Sequence, residues 1–429
     1  MRVCVVNHRY YPFRGGSEQF AQVFAESLAA VGHSVTVVTT DAHDLEYFWD
    51  RGRLRISAPP EERLNGVTVI RVPLAHLPMN QLLFPGGRRL MGEASRLLRW
   101  EPPFEWASRW LPRVPSLAAV IEERGPWDLV HGMNLGIEGL PLAAERSARR
   151  QSARFTMMPF VHLGVEGDPV PRRYVSMPHQ VALLRRTDLV LTMTDVESSY
   201  LTRLGVDAEH LATVGAGFDP LAVTGGDGER FRARYRLGDG FLVGCLGAMA
   251  RDKGTPDLVQ AVAELRSTGR TVQLVLAGPA LSWFDRWFQR LPPADREGIH
   301  RLGFVDDSVR RDMLAAIDVL ALPSRTESFG HVFVEAWANG KSVIAAEAGA
   351  VPEIVRHESN GLLVRFGDSR SIAAAIARLM DDHQLASRLG AAGKVTAMDR
   401  YTWDAVIGRT FDAIDTMLGY SVRVGSTNA

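Results

Sequence analysis

Short runs of valine, leucine and isoleucine recur along the chain, each bounded by glycine, proline or charge and followed by an amphipathic stretch. Apolar runs of this length, alternating with segments of helical period, predict parallel strands covered on both faces by helices. In the first half "RVCVVNH", "SVTVVTT", "VTVIRVP", "WDLVHGM", "FTMMPFVH" and "DLVLTMT" are expected strands, and 17–31, 139–150, 176–186 and 195–204 expected helices. The pattern restarts with "FLVGCLGAM" and runs on through "TVQLVLAGP", "GIHRLGFV", "DVLALPS", "KSVIAAEAG" and "GLLVRFG", again with helices between. Two doubly wound α/β units fit this restart better than one long sheet. The first is expected over 1–218 and the second over 239–400, with a glycine-rich, charged linker at 219–238. Such units bind small molecules at strand carboxyl ends and where domains meet, so a ligand cleft between them is expected. The segment "YTWDAVIGRTFDAIDTMLGY" reads as a terminal amphipathic helix over 402–420 with Thr402 as its N-cap.

Composition narrows the class. At 429 residues the chain exceeds one core, since domains average about 150 residues. The 49 basic and 49 acidic residues cancel, which removes a global electrostatic case for nucleic acid as a partner. The opening "MRVCVVNH" reads as a strand and not as a signal peptide, and no apolar run reaches the ~18 residues of a membrane span. A cytoplasmic location is expected. Cys4 and Cys245 fall in separate strand-like runs and are expected as buried thiols. One segment departs from the pattern. Residues 76–116 mix prolines, six arginines and the aromatics Trp100, Phe104, Trp106 and Trp110. Its two readings are a helical insertion packed on the first domain and a peripheral contact with the inner face of a membrane.

Candidate chemistry clusters behind strands. After the first, "NHRYYPFRGGSEQF" ends in Gly15-Gly16 at a helix start, where backbone amides can approach a phosphate. The dinucleotide fingerprint and the Walker-type glycine loop are both absent, which counts against a nicotinamide-dependent oxidoreductase. In the second half "LGAMARDKGTPDL" puts Arg251 and Lys253 just ahead of a helix that Thr255 would cap, and lysine is scarce, occurring only at 253, 341 and 394. Two cations there would neutralise a diphosphate and stabilise charge on a departing one. In "TESFGHVFVEAWANG" Glu335 lies in a crowded apolar helix and needs a partner, an arginine, backbone amides or ligand hydroxyls. Glu327 precedes that helix. His162 follows a strand, and Asp306-Asp307 reads as a helix-capping turn.

Taken together and in order, "GGSEQFAQVFAESLAAVGHSVTVVT", "VH" at 161–162, "VGAGFDP", "LGAMARDKG", "LVLAGP", "LGFVDD" and "LPSRTESFGHVFVEAWANGKSVIAAEAGAVPEIV" resemble the retaining glycosyltransferases of family 4. The resemblance covers nearly the whole chain and implies the GT-B fold, two Rossmann-like domains facing across a cleft with the terminal helix crossing back to the first. It implies transfer of a hexosyl unit from a nucleoside-diphosphate sugar to an acceptor hydroxyl with retention, without metal or other cofactor; the nucleotide stays open, with a UDP-sugar favoured over a GDP- or ADP-sugar. By the same resemblance Glu335 would accept the ribose hydroxyls and Glu327 would contact the transferred sugar. Amides around Ser328, Phe329 and Gly330 would lie against sugar and phosphates, Arg251 and Lys253 would grip the diphosphate, and Gly15-Gly16 would close over it. His162 would stand near the reacting sugar, and the base would rest at Phe304 and Val305. His331 departs from the family's aliphatic residue at that position. A GT-B epimerase or phosphorylase and a catalytically silent nucleotide-sugar-binding protein are the alternatives; acceptor and oligomeric state stay open.

Overall fold

A computed structural model of the chain describes residues 1–13, 15–161, 163–164, 169–325 and 327–420. Its contacts divide into two units. The first takes in Met1–Val161, Pro169–Val214 and the chain from Ile407 on; the second takes in Gly215–Val406 with the short piece Leu163–Gly164.

In the first unit the strands are β1 (Arg2–Val6), β2 (Ser34–Thr40), β3 (Glu61–Leu64), β4 (Val67–Val72), β5 (Leu129–Met133), β6 (Arg154–Met158), β7 (Leu189–Thr192) and β8 (Leu211–Thr213). They form one sheet in the order β3-β4-β2-β1-β5-β6-β7-β8. All pairs are parallel except β3 with β4. That exception has a local cause the apolar pattern did not register: Leu64 and Val67 pair across Asn65-Gly66, both at positive φ (48° and 84°). Asn-Gly with two left-handed residues is the turn that matches the twist of a two-residue hairpin. The polar edge strand "EERL" lacks the alternation that marks a half-buried one.

The second unit has β9 (Phe241–Leu246), β10 (Val272–Ala277), β11 (Ile299–Gly303), β12 (Val319–Leu322), β13 (Ser342–Ala346) and β14 (Leu362–Val364). Their order is β11-β10-β9-β12-β13-β14, and every pair is parallel. The order reverses between β9 and β12, the place where a doubly wound sheet opens a crevice beyond its strand ends. Residues 219–238, read from composition as a linker, instead form the helices Pro220–Val223 and Gly228–Tyr235 and cluster with the second unit. Asp312 holds them there, accepting from the Asp227 amide at 2.8 Å and from the Arg230 guanidinium at 2.7 Å and 2.8 Å.

The helix Trp403–Leu418 belongs to both units. Thr402 Oγ1 accepts from the Ala405 amide at 3.4 Å, as its expected capping role requires. From Ile407 on, the helix clusters with the first unit, where the Arg409 guanidinium donates to the Val214 carbonyl at 2.7 Å and Phe411 meets Phe24 at 6.4 Å. The core of the second unit centres on Trp337, fully buried, whose indole N–H donates to the Asn360 carbonyl at 2.9 Å. A Cβ at Gly393 would come within 2.0 Å of that indole, so the helix His383–Arg400 can pack here only through a glycine. Trp337→Ala is expected to destabilise the second unit by about 3–5 kcal/mol. Far-UV circular dichroism in denaturant checks this: one transition should move to lower denaturant, and an unchanged midpoint contradicts the packing described.

Candidate functional site

The loops that follow β9 and β12 are laced together at the reversal of strand order. The Asp252 carbonyl accepts from the Arg325 amide at 2.9 Å and from the Ser324 hydroxyl at 3.1 Å, while the Asp252 carboxylate pairs with Arg325 Nε at 2.8 Å. Gly254 turns at φ +67°, and a Cβ there would lie 2.2 Å from the Pro323 carbonyl oxygen. A side chain would push the loops apart. Gly254, not Thr255, is therefore the N-cap of the helix Thr255–Ser267, and Thr255 becomes its first residue, fully buried. Between the laced loops the Lys253 ammonium meets Glu327 Oε1 at 2.5 Å, with both side chains partly screened from water. An opposed pair at a strand-end crevice offers a cation to a phosphate and a carboxylate to a hydroxyl from one spot.

Glu327 leads by way of Ser328 and Phe329 into the helix His331–Ala338. Gly330 is its N-cap at φ +89°, with no side-chain cap, and a Cβ there would strike the Phe333 ring at 2.6 Å. The fully buried Phe329 anchors the turn, edge-on to Tyr401 at 4.9 Å. His331 opens the helix with its ring 5.4 Å from that of Phe329. Burial holds the imidazole below its ordinary pKa against the pull of Glu327, which keeps the ring neutral near pH 7.

One turn into the helix, Glu335 is only 8% exposed. The partner its burial demands is Arg310, whose guanidinium donates to Oε1 at 3.0 Å from the helix Asp307–Ala316. That helix is capped by Asp306, which accepts from the Val309 amide at 2.8 Å. The second oxygen of Glu335 is buried and has no donor among the described residues. Burial pushes the carboxyl pKa up; Arg310 opposes this and Asp307 adds to it. A buried carboxylate with one oxygen held and the other open is an acceptor prepared for hydroxyl donors.

Arg251 stands exposed in the turn Arg251–Lys253, its guanidinium 4.8 Å from the Trp283 ring centroid. A cavity of about 460 Å³ lies beside it, walled by Trp283, Trp287, Arg325 and Phe366. Phe304, 87% exposed, and Val305 follow β11. The structure thus brings Lys253, Glu327, Glu335 and the Ser328–His331 turn into the second unit together with Arg251, Phe304 and Val305. Arg310, Arg325 and Trp283 were missed: each acts through a partner far away in sequence, so no local motif marks it.

In the first unit Gly15-Gly16 does open the helix Gly16–Ala30. The turn is covered by Glu18, however, since a Cβ at Gly15 would lie 2.3 Å from Glu18 Oε2. Glu18 is 2% exposed and bound by Arg9 Nε at 2.9 Å, with His8 Nε2 at 3.3 Å. Burial drives the His8 pKa down to about 3, with Arg9 adding to the drop, so His8 meets Glu18 as a neutral ring. Gly15 thus lies against this carboxylate. His162 lies outside the described residues; its neighbour Gly164 presents its carbonyl oxygen 3.5 Å from where a Cβ on Gly349 would sit, beside the Glu327 carbonyl oxygen at 3.0 Å. Cys4 and Cys245 are buried free thiols. Among the described residues no group of three His, Cys, Asp or Glu side chains could share a metal ion.

Comparison with known proteins covers both units. A family model described as "Glycosyl transferase 4-like domain" matches residues 15–217, and one described as "Glycosyl transferases group 1" matches 240–382. The D-inositol 3-phosphate glycosyltransferase of Streptomyces scabiei is 31% identical over 309 residues, 67% of each chain. The same-named protein of Stackebrandtia nassauensis is 33% identical, over 59% of this chain and 60% of that one. The GDP-mannose-dependent alpha-(1-6)-phosphatidylinositol monomannoside mannosyltransferase of Mycolicibacterium smegmatis is 27% identical over 93% of this chain and 94% of its own. Among solved structures, Anabaena HepE in complex with UDP and glucose superposes with a TM-score of 0.71 at 19% identity, covering 97% of this chain and all of that one. With both halves matched in order to the halves of one family, the protein belongs to the glycosyltransferases of family 4, built on the GT-B fold.

Proposed function

We propose that the protein transfers a hexosyl unit from a nucleoside-diphosphate sugar to an acceptor hydroxyl, with retention of anomeric configuration and without a metal. The observation that carries the reading is the open second oxygen of buried Glu335, eight residues on from Glu327 of the Lys253–Glu327 pair. The ribose hydroxyls would donate to Glu335, whose cost of burial such donors offset. The diphosphate would lie against Lys253 and Arg251, with amides from Ser328 to His331 at the start of their helix adding positive potential. As the bond from the sugar carbon to the phosphate oxygen breaks, charge grows on the leaving diphosphate, and these fixed cations and dipoles stabilise it. Lys253 would exchange part of its contact with Glu327 for the phosphate, freeing that carboxylate for the sugar hydroxyls. Retention follows if the departing phosphate oxygen takes the acceptor proton on the face it leaves; His162 would stand beside the reacting sugar. Phe304 and Val305 would meet the base, and Gly15-Gly16 is read as a first-domain turn toward the phosphates.

The sequence reading puts a UDP-sugar first. The relative named GDP-mannose-dependent puts GDP-mannose beside it, so the donor is read as one of these two. Contact with a membrane surface through 76–116 is supported by the exposed Leu82, Leu90, Leu97, Trp100 and Trp106. Among the described residues no helix is long and apolar enough to cross a membrane. The functional test is a thermal-shift panel of UDP-, GDP- and ADP-sugars followed by mass spectrometry of product from a small acceptor library. Selective stabilisation and a hexosylated product are expected; a protein that binds no activated sugar refutes the reading.

Two variants probe the chemistry. Lys253→Ala is expected to weaken affinity for the selected nucleotide sugar at least tenfold, about 1.4 kcal/mol, by calorimetry; wild-type affinity would remove Lys253 from the site. Glu335→Gln separates binding from stability. A carboxyl whose pKa rises on folding binds its proton more tightly when folded, so the stability it contributes is present at low pH and lost as pH rises through the elevated value. The unliganded glutamine variant should therefore gain melting temperature over wild type as pH rises from 4 to 8, while losing donor affinity at least tenfold. Parallel melting curves at every pH would contradict the burial assigned to Glu335.

A further inference from the structure

The segment "WASRWLPR", Trp106 to Arg113, repeats tryptophan and arginine at a fixed offset, and the transfer chemistry proposed above uses neither. In the first unit it walls a cavity of about 580 Å³, with Trp106, Arg109, Trp110 and Arg113 on one side and Arg146 and Arg150 on the other. The second wall is one stripe of the helix Gly139–Arg150, exposed to the cavity from Gly139 through Ala143 to Arg150. The twelve residues from Gly139 to Arg150 span eleven helical rises, a groove about 16 Å long. Gly139 allows the walls to meet: a Cβ there would lie 2.6 Å from the Ser108 carbonyl oxygen.

Arginine is this chain's usual cation, so the placement carries the argument and not the residue type. Four guanidiniums face one cavity. Arg146 pairs with Glu105, and Arg150 with Glu122 at 2.7 Å. Arg109 and Arg113 have no carboxylate partner among the described residues; Arg113 lies 4.8 Å from the Trp110 ring centroid instead. Burial, then the nearby Arg186 and Arg150, hold the Arg146 guanidinium below its ordinary pKa even with Glu105 beside it. Planar guanidiniums in pairs match the oxygens of a phosphate, and the indoles and the apolar floor of Leu117 and Leu140 suit an uncharged body attached to it.

We infer that this groove binds a phosphate-bearing ligand at a site of the first unit built without any of the proposed donor residues. Its phosphate lies between Arg109 and Arg113 on one wall and Arg146 on the other. Such a group comes either from a soluble phosphate ester or from an anionic phospholipid headgroup, since Trp106 is also part of the exposed apolar surface of 76–116.

The test uses Lys253→Ala protein, which under the proposed function has a weakened donor site, and the same protein carrying Arg109→Ala and Arg113→Ala. Each is titrated with inorganic pyrophosphate by calorimetry and sedimented with vesicles of phosphatidylcholine, with and without phosphatidylglycerol. Arg63→Ala with Arg203→Ala, two exposed cations outside both the cavity and 76–116, is the charge-matched control. The cavity variant is expected to lose at least tenfold in affinity where the control does not. Loss for pyrophosphate identifies a soluble ester as the source, and loss confined to phosphatidylglycerol vesicles identifies the headgroup. Equal behaviour of cavity variant and control, or no loss in either arm, overturns the inference, and neither outcome bears on donor binding at Glu335.

Discussion

The lacing of two strand-end loops is the constraint on which the candidate site depends. Asp252 gives its carbonyl to Arg325 and Ser324 and its carboxylate to Arg325, so the turn after β9 cannot move without the turn after β12. Gly254 makes the contact sterically possible. Lys253 and Glu327 then face each other not by choice of rotamer alone but because their backbones are tied one residue before Lys253 and two before Glu327. Exposed ion pairs contribute little when long side chains must be ordered for them. Here much of that ordering is already supplied by backbone hydrogen bonds, which suits a pair that has to part and re-form around a ligand.

The second feature is a carboxylate left half satisfied. Arg310 holds one oxygen of Glu335, and the remaining oxygen is buried without a donor. A purely structural buried glutamate would be expected to have both oxygens engaged, because an unpaired buried acceptor costs about 1–3 kcal/mol. Retaining that cost in a helix of otherwise apolar residues is intelligible if a ligand removes it, which links the packing of the second unit to the activity proposed for it. His331, neutral through burial, sits one turn before Glu335 at the start of the same helix and adds no charge to the phosphate face.

Much of this was legible in the sequence because strand, loop and helix follow one another closely in parallel α/β structure. A residue just beyond an apolar run is at the strand's carboxyl end, so the sequence alone places Lys253 and Glu327, and the burial of Glu335 follows from Phe333, Val334, Ala336 and Trp337 around it. The requirement for a partner was also readable, but its identity was not: Arg310 lies 25 residues away and is delivered by the order of the sheet. Capping was read one residue late at Thr255 because the tight approach to Pro323 needs a glycine, a demand set by another loop. The strand β3 was missed although Asn65-Gly66 announces its hairpin, since attention to apolar runs passes over a polar edge. At Gly15 the close approach of buried Glu18 could not be read from the glycine pair alone, since it depends on where the following helix places that side chain.

Everything proposed for the second unit rests on protein cations and main-chain dipoles being sufficient to hold a sugar-linked diphosphate. Titration calorimetry of the wild-type protein with UDP-glucose and with GDP-mannose, each in the presence of a chelator and again with added magnesium, tests that directly. The account predicts saturable binding of at least one donor with the same affinity in both conditions. Absence of binding to either, or binding that appears only with magnesium, would contradict it.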